Sequence, residues 1–343
     1  MKTHQVQQKT ERRISAALRL VFVAALLLGQ IALAFFLSTE LRQRAAIIYT
    51  VLELAAFGYA VRIYNRTDGT SYKFGWIFLV LTVPVVGLIL YFLWNGDRQQ
   101  KRLDLKKLPM PEEPEAQQAA HRIQMEKLRR KYPQWERLSV YLGRQGYLLY
   151  GDTEAKYLPT GEMFLQDMLE KLEQAEHFIF LEFFIIAQGQ IWDRMEEIFR
   201  RKAAAGVEVK IIFDDFGSMM RFPAGQIEAL RESGVEVQVF NPVHHYVNRL
   251  YFNYRDHRKI VCIDGSTAYT GGANVADEYA NLTVRFGYWK DCGIRLDGAG
   301  AWSLTREFLH MWQRNGGQLM QERDYYRPHD HREAAGFCQP FED

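Results

Sequence analysis

His257-Arg258-Lys259-Ile260-Val261-Cys262-Ile263-Asp264 is followed a few residues on by Gly271-Gly272-Ala273-Asn274. The apolar run Ile260 to Ile263 reads as a buried strand. Side chains on a strand alternate between faces, so His257 and Lys259 point the same way. Asp264-Gly265 is a hairpin signal, and Thr267 to Thr270 reads as the returning strand. The return brings Gly272 and Asn274 back towards His257. Polar groups from one hairpin therefore converge at one end of a sheet.

Those groups suit phosphodiester chemistry. An imidazole such as His257 can attack phosphorus as a nucleophile. Lys259 offers a point charge to a non-bridging phosphate oxygen. The Asn274 amide and the Gly272 backbone N–H can donate to the other oxygens and stabilise charge that builds in the transition state. No metal or other cofactor is required. His244-His245 and His329-Asp330-His331 have no convincing ligand set and read as surface features. A nucleophilic histidine needs an acceptor for its second nitrogen. Asp291, just before the strand expected over Cys292 to Leu296, is the candidate, although it could instead cap locally or pair with Lys290.

Around the hairpin, strands and helices alternate. Strands are expected at Tyr147–Tyr150, Phe178–Ile186, Val207–Phe213 and Val235–Phe240. Helices are expected at Glu162–Gln174, Ile191–Ala204, Ala224–Ser233 and Trp302–Trp312. This order predicts a doubly wound α/β unit, a mixed sheet with helices on both faces, over residues 144–336.

The first hundred residues differ in kind. Leu20–Leu37, Ala45–Val61 and Phe74–Trp94 are apolar runs near the length that spans a bilayer, about 20 residues. Residues 1–96 thus read as a membrane anchor of two to three transmembrane helices, the second and third joined by a polar turn at Asn65-Arg66-Thr67-Asp68-Gly69. Glu53, costly in lipid, is expected to face another helix. Lysines and arginines are nearly balanced between the two sides, so the positive-inside rule does not orient the spans. Residues 97–143 read as a charged linker along the membrane surface, with a polar helix expected over Gln117–Lys131. Its basic cluster, Arg98 to Lys107, suits anionic headgroups as well as it suits an ordinary solvated flank.

The 343 residues carry a formal charge of only +2, without the basic excess usual for a nucleic-acid role. The three cysteines, Cys262, Cys292 and Cys338, share no CxxC spacing, which disfavours a zinc site or a disulfide framework.

These residues resemble the phospholipase D superfamily, whose signature is HxKxxxxD followed by G-[G/S]-x-N, and within it the bacterial cardiolipin synthases. The resemblance lies in Asn253 to Val261, Gly271 to Tyr279 and Phe286-Gly287-Tyr288-Trp289-Lys290-Asp291, and in the Asn65-Arg66 hairpin with the Phe74–Trp94 span. It implies transfer between two phosphatidylglycerols, giving cardiolipin and glycerol through a phosphohistidine. It makes His257 a catalytic histidine, Lys259 and Asn274 phosphate binders and Asp264 the motif's supporting acid. It also places the catalytic part at the cell membrane with its soluble domain cytoplasmic, which the unpaired cysteines suit.

One departure matters. The family carries two such motifs that build one site, and this sequence holds a single HxK. One histidine does not easily serve as both nucleophile and acid on opposite sides of phosphorus. The site then needs a missing second half, whose opening strand residues 337–343 resemble, or a twin chain. Competing readings are a single-motif phosphodiesterase or nuclease active as a homodimer, and an inactive membrane fragment. The apolar segments and near-neutral charge count against nucleic acid.

Overall fold

The computed structural model describes residues 24–25, 28–32, 35, 42–66, 70–94, 115–242, 255–318, 321–327, 334 and 336–342. They form two compact units, one mainly from the region up to residue 105 and the other from residue 106 onward. Most of the first apolar run, the turn at 67–69, the basic cluster and both histidine clusters lie outside the described residues.

In the first unit, α1 (Arg42–Tyr64), α2 (Thr70–Thr82) and α3 (Pro84–Trp94) pack around Ala56, Ile63, Trp76, Val80, Val86 and Tyr91. The Lys73 ammonium donates to the carbonyls of Tyr64 at 3.2 Å and Arg66 at 3.0 Å. A cation there satisfies carbonyls left open at the C-terminus of α1. Within α1, Ile47–Tyr64 is long and apolar enough to cross a membrane. The run Phe74–Trp94, expected as one span, is divided at Pro84 into α2 and α3. Proline lacks the N–H and crowds the preceding turn, so the helix does not run through it. Gly87 completes the fold-back, since a Cβ there would meet the Leu79 carbonyl oxygen at 2.5 Å. Glu53, expected against another helix, is exposed.

In the second unit the described residues form a seven-stranded mixed sheet in the order β1-β7-β6-β5-β2-β3-β4. The strands are β1 (Thr153–Leu158), β2 (Phe178–Phe183), β3 (Glu208–Asp214), β4 (Glu236–Phe240), β5 (Lys259–Ile263), β6 (Thr267–Gly271) and β7 (Gly293–Gly298). Strands β2, β3 and β4 are parallel, joined by α7 (Gln190–Ala204) and by a crossover holding the short α8 (Asp215–Ser218) and α9 (Ala224–Glu232). The remaining pairs are antiparallel. Both central residues of the β5–β6 turn, Asp264 and Gly265, have positive φ, 52° and 65°, as the tight hairpin expected there requires.

One sheet face buries Leu181, Phe183, Ile211, Phe213 and Val261 under α6 (Gly161–Leu172) and α7. The other is covered by α10 (Ala301–Arg314), whose Phe308 stacks on Phe180 at 4.7 Å. The short α11 (Glu322–Tyr325) follows. Strand β1 was not expected: only its two ends are buried, so it lacks the periodicity that marks a strand. The expected strand at Tyr147–Tyr150 makes a single bridge, between Tyr150 and Cys338.

The expected linker holds folded structure over its described part. Helices α4 (Glu115–Lys131) and α5 (Glu136–Arg144) belong to the second unit. Met125 and Leu128 pack on Leu149 and Phe337, and His121 Nδ1 accepts from the Leu149 N–H at 2.9 Å.

Candidate active site

His257 lies two residues before the start of β5, and Lys259 is that strand's first residue. Their shared face is settled by a common neighbour. The His257 ring lies 4.8 Å from the Phe184 ring, and the Lys259 ammonium lies 5.6 Å from that same ring. Phe184 directly follows β2, which pairs with β5 through Phe183 and Lys259. The Lys259 side chain is buried, and its Nζ donates to the His257 carbonyl at 2.5 Å. Burial pulls the Lys259 pKa down to about 8, while the carboxylates of Asp256 and Asp291 act to raise it. For His257, burial and then the Lys259 charge push the pKa below its ordinary 6.5, and Asp256 opposes them. Burial and the Lys259 charge thus favour the neutral imidazole.

Gly272 and Asp291 meet at the same end of the sheet. A Cβ on Gly272 would come within 2.3 Å of Asp291 Oδ1. The Asp291 carboxylate accepts from the Cys292 N–H at 2.8 Å. Among the described residues it makes no hydrogen bond to His257, so its contact with the site is through the field at Lys259. Asn274 is buried and already engaged. Its Oδ1 accepts from the Ile185 N–H and its Nδ2 donates to the Tyr279 hydroxyl, both at 2.9 Å. Asn274 thus ties the chain beyond β2 to the turn at 277–280.

Asp264 lies at the far end of β5 from His257. Its carboxylate accepts from the backbone N–H groups of Glu176, His177 and Phe178, each at 2.8 Å. Three donors on one carboxylate hold the start of β2 against the end of β5. The structure does not bring Asp264 to the pocket.

Arg258 projects to the opposite face and lies among four carboxylates. It pairs with Glu182 at 2.6 Å, with Glu307 at 3.4 Å and with Glu342, and lies 3.8 Å from Asp256. Burial drives Glu182 well above the ordinary carboxylate range, with Asp256 adding to the shift. Burial and then Glu342 raise Glu307 to about 8. This cluster locks the strand bearing His257 and Lys259 to β2, α10 and the segment at 336–342. Sequence reasoning missed it, along with Phe184 and Tyr279. The one local signal was a charged Glu182 inside an otherwise apolar strand.

Known proteins bear on this arrangement. Residues 168–285 match the family described as cardiolipin synthase, phospholipase D-like domain, and residues 54–95 match the phospholipase D-nuclease N-terminal family. Cardiolipin synthase 2 of Bacillus anthracis is 30% identical over 273 residues, 79% of this chain and 53% of its own length. The chain carries a phospholipase D-like domain of the cardiolipin synthase type, preceded by a phospholipase D-nuclease N-terminal region. An uncharacterized protein of Streptococcus mutans is 36% identical over 74% of this chain and 55% of its own. The major cardiolipin synthase of Bacillus subtilis is 30% identical over 73% and 53%. The chain spans about half the length of these curated relatives. Among solved structures it is similar to NucT from Helicobacter pylori, with 11% identity, a TM-score of 0.37, and coverage of 47% of this chain and 96% of that one.

Proposed function

We propose that this chain supplies one half of a phosphatidyltransferase site that joins two phosphatidylglycerols into cardiolipin and releases glycerol. The observation that carries the reading is the pairing of a neutral His257 with a buried Lys259 across Phe184. In the first step the His257 nitrogen forms a bond to the phosphorus of one phosphatidylglycerol. The bond from phosphorus to the headgroup glycerol oxygen breaks, and glycerol leaves with a proton. In the second step the headgroup hydroxyl of another phosphatidylglycerol attacks the phosphohistidine, passes its proton to the far-side group that protonated the glycerol, and frees the imidazole. Lys259 neutralises a non-bridging oxygen in both steps. Asp291 supports the Lys259 charge, whereas the Gly272 N–H, which donates to the Cys292 carbonyl at 3.1 Å, and the engaged Asn274 amide shape the site and are not the phosphate donors expected from the sequence. Asp264 acts at a distance by fixing the hairpin.

The proton for the leaving glycerol comes from the far side of phosphorus. A second HxKxxxxD motif supplies it, in a continuation of the chain or in a twin copy. In this reading residues 1–96 anchor the enzyme by two or three membrane helices, and the catalytic domain faces the cytoplasm. The test is conversion of phosphatidylglycerol vesicles by the chain together with a segment bearing a second motif. Transfer is expected, and His257→Ala is expected to abolish it. Undiminished transfer by His257→Ala would remove His257 from the mechanism.

A further inference from the structure

At the sheet end that carries His257, the loop following Asn281 leaves apolar side chains in the open. Every residue from Leu282 to Tyr288 is exposed, with Val284 at 88%, Phe286 at 77% and Tyr288 at 70%. The neck of this loop is held firmly. The Trp289 N–H donates to Asn281 Oδ1 at 2.8 Å, and Asn281 Nδ2 donates back to the Trp289 carbonyl at 2.9 Å. The Trp289 ring lies 4.5 Å from Tyr279, the residue that holds Asn274. The exposed residues are therefore presented on a fixed base.

Glu278 joins this loop to a second apolar feature. It accepts two hydrogen bonds from Arg221, at 2.5 and 2.6 Å, and one from Arg285 at 3.1 Å. Arg221 follows Met220, which is 74% exposed, in the connection after β3. The Arg285 guanidinium lies 5.1 Å from the centre of the Phe286 ring, and Lys290 is exposed at the loop's end. The result is a set of exposed Met, Val, Phe and Tyr side chains with cations among them, tied through Tyr279 and Asn274 to Ile185, next to the Phe184 that His257 and Lys259 share. Contiguous exposed apolar residues of this kind mark an interaction surface.

We propose that this surface docks in the headgroup layer of a lipid bilayer, with Val284 and Phe286 entering the acyl boundary and Arg285 and Lys290 meeting lipid phosphates. A lipid occupant fits the mixture: aromatic residues with polar edges favour the membrane interface, and cations favour its anionic lipids. The same chain holds an apolar helix long enough to span a bilayer. Docking rests on the proposed phosphatidyl transfer only in that transfer needs His257 and Lys259 at the depth of the lipid phosphates.

The test uses the full chain in phosphatidylglycerol vesicles. Cys292→Ser and Cys338→Ser remove the accessible thiols, and Val284→Cys carries a polarity-sensitive fluorophore. A matched protein carries the label at Glu154→Cys, on the exposed part of β1. Interfacial insertion is about 5–10 Å deep, so the label at 284 should be quenched at least about twofold more by headgroup-level lipid nitroxides than the label at 154, and correspondingly less by aqueous iodide. Adding Phe286→Ser should reduce that quenching. Equal access of iodide to both labels would overturn the proposal. So would a label at 284 shielded from iodide yet untouched by the bilayer nitroxides, because a protein partner would then cover the surface. Bilayer quenching in a protein that never transfers phosphatidyl groups, even with a second motif supplied, would leave docking standing and defeat the transfer reading.

Discussion

An imidazole attacks phosphorus in its neutral form, and the groups around His257 favour that form. Its pKa lies below the ordinary 6.5, so in the proposed mechanism the attacking form is lost as pH falls through that lowered pKa. Burial pulls Lys259 down to about 8, so the charge proposed to meet the phosphate is lost as pH rises through it. Turnover by the completed enzyme should therefore be bell-shaped in pH, with its alkaline limb near 8. Lys259→Arg keeps a positive charge well above that pH. It should move the alkaline limb upward at a reduced maximal rate, and an unmoved limb in the pH–rate profile would show that Lys259 is not its source. Lys259→Ala should lower turnover by about 10²–10³, as measured on phosphatidylglycerol vesicles at fixed pH. At this scale the histidine and lysine were readable from their spacing alone, because a strand's alternation obliges positions 257 and 259 to share a face. The partner of Asp291 was not, because which acceptor meets which donor depends on loops distant in sequence.

Strand β5 joins two different jobs, the proposed chemistry at its start and anchoring at its end. Asp264→Asn preserves the shape of the turn but weakens the hold on three backbone N–H groups. It should cost about 1–3 kcal/mol of stability, read as a lowered unfolding midpoint of the full chain in detergent. His257→Ala should leave that midpoint nearly unchanged. On the opposite face, Glu307 titrates at about 8 against an ordinary 4.5. Between those values the folded state holds a proton that the unfolded state has released. Stability should therefore fall as pH rises from about 5 to 8. In unfolding measured across that range, Glu307→Gln should flatten the slope, and an unchanged slope would assign it to other groups. Most elements of this unit were predictable from periodicity and turn residues. Strand β1 was not, because an edge strand buried only at its ends carries no alternating signal. The break at Pro84 was hidden by uniform hydrophobicity, although the proline itself stood in plain view.

For the whole molecule, the proposed in-line displacement needs groups on both sides of phosphorus, and His257 with Lys259 would supply one side. The chain acting alone should not turn over phosphatidylglycerol as a monomer. Turnover of purified protein against concentration, with mass determined in parallel, decides this. Activity that rises with the dimer fraction would identify a twin chain as the source of the second set. Activity restored only by a co-expressed second motif would identify a continuation, and substantial turnover by a demonstrated monomer would defeat the two-sided reading. The sequence by itself determined the α/β class of the second unit, the β5–β6 hairpin and the shared face of His257 and Lys259. Each follows from neighbours a few residues apart, through the alternation of strands and the chemistry of turns. Only the tertiary structure decided that Asp264 anchors the start of β2, that Asn274 is engaged by Ile185 and Tyr279, and that Arg258 lies among Glu182, Asp256, Glu307 and Glu342. Most of those partners lie dozens of residues away along the chain, and no local pattern records which distant groups packing will bring together.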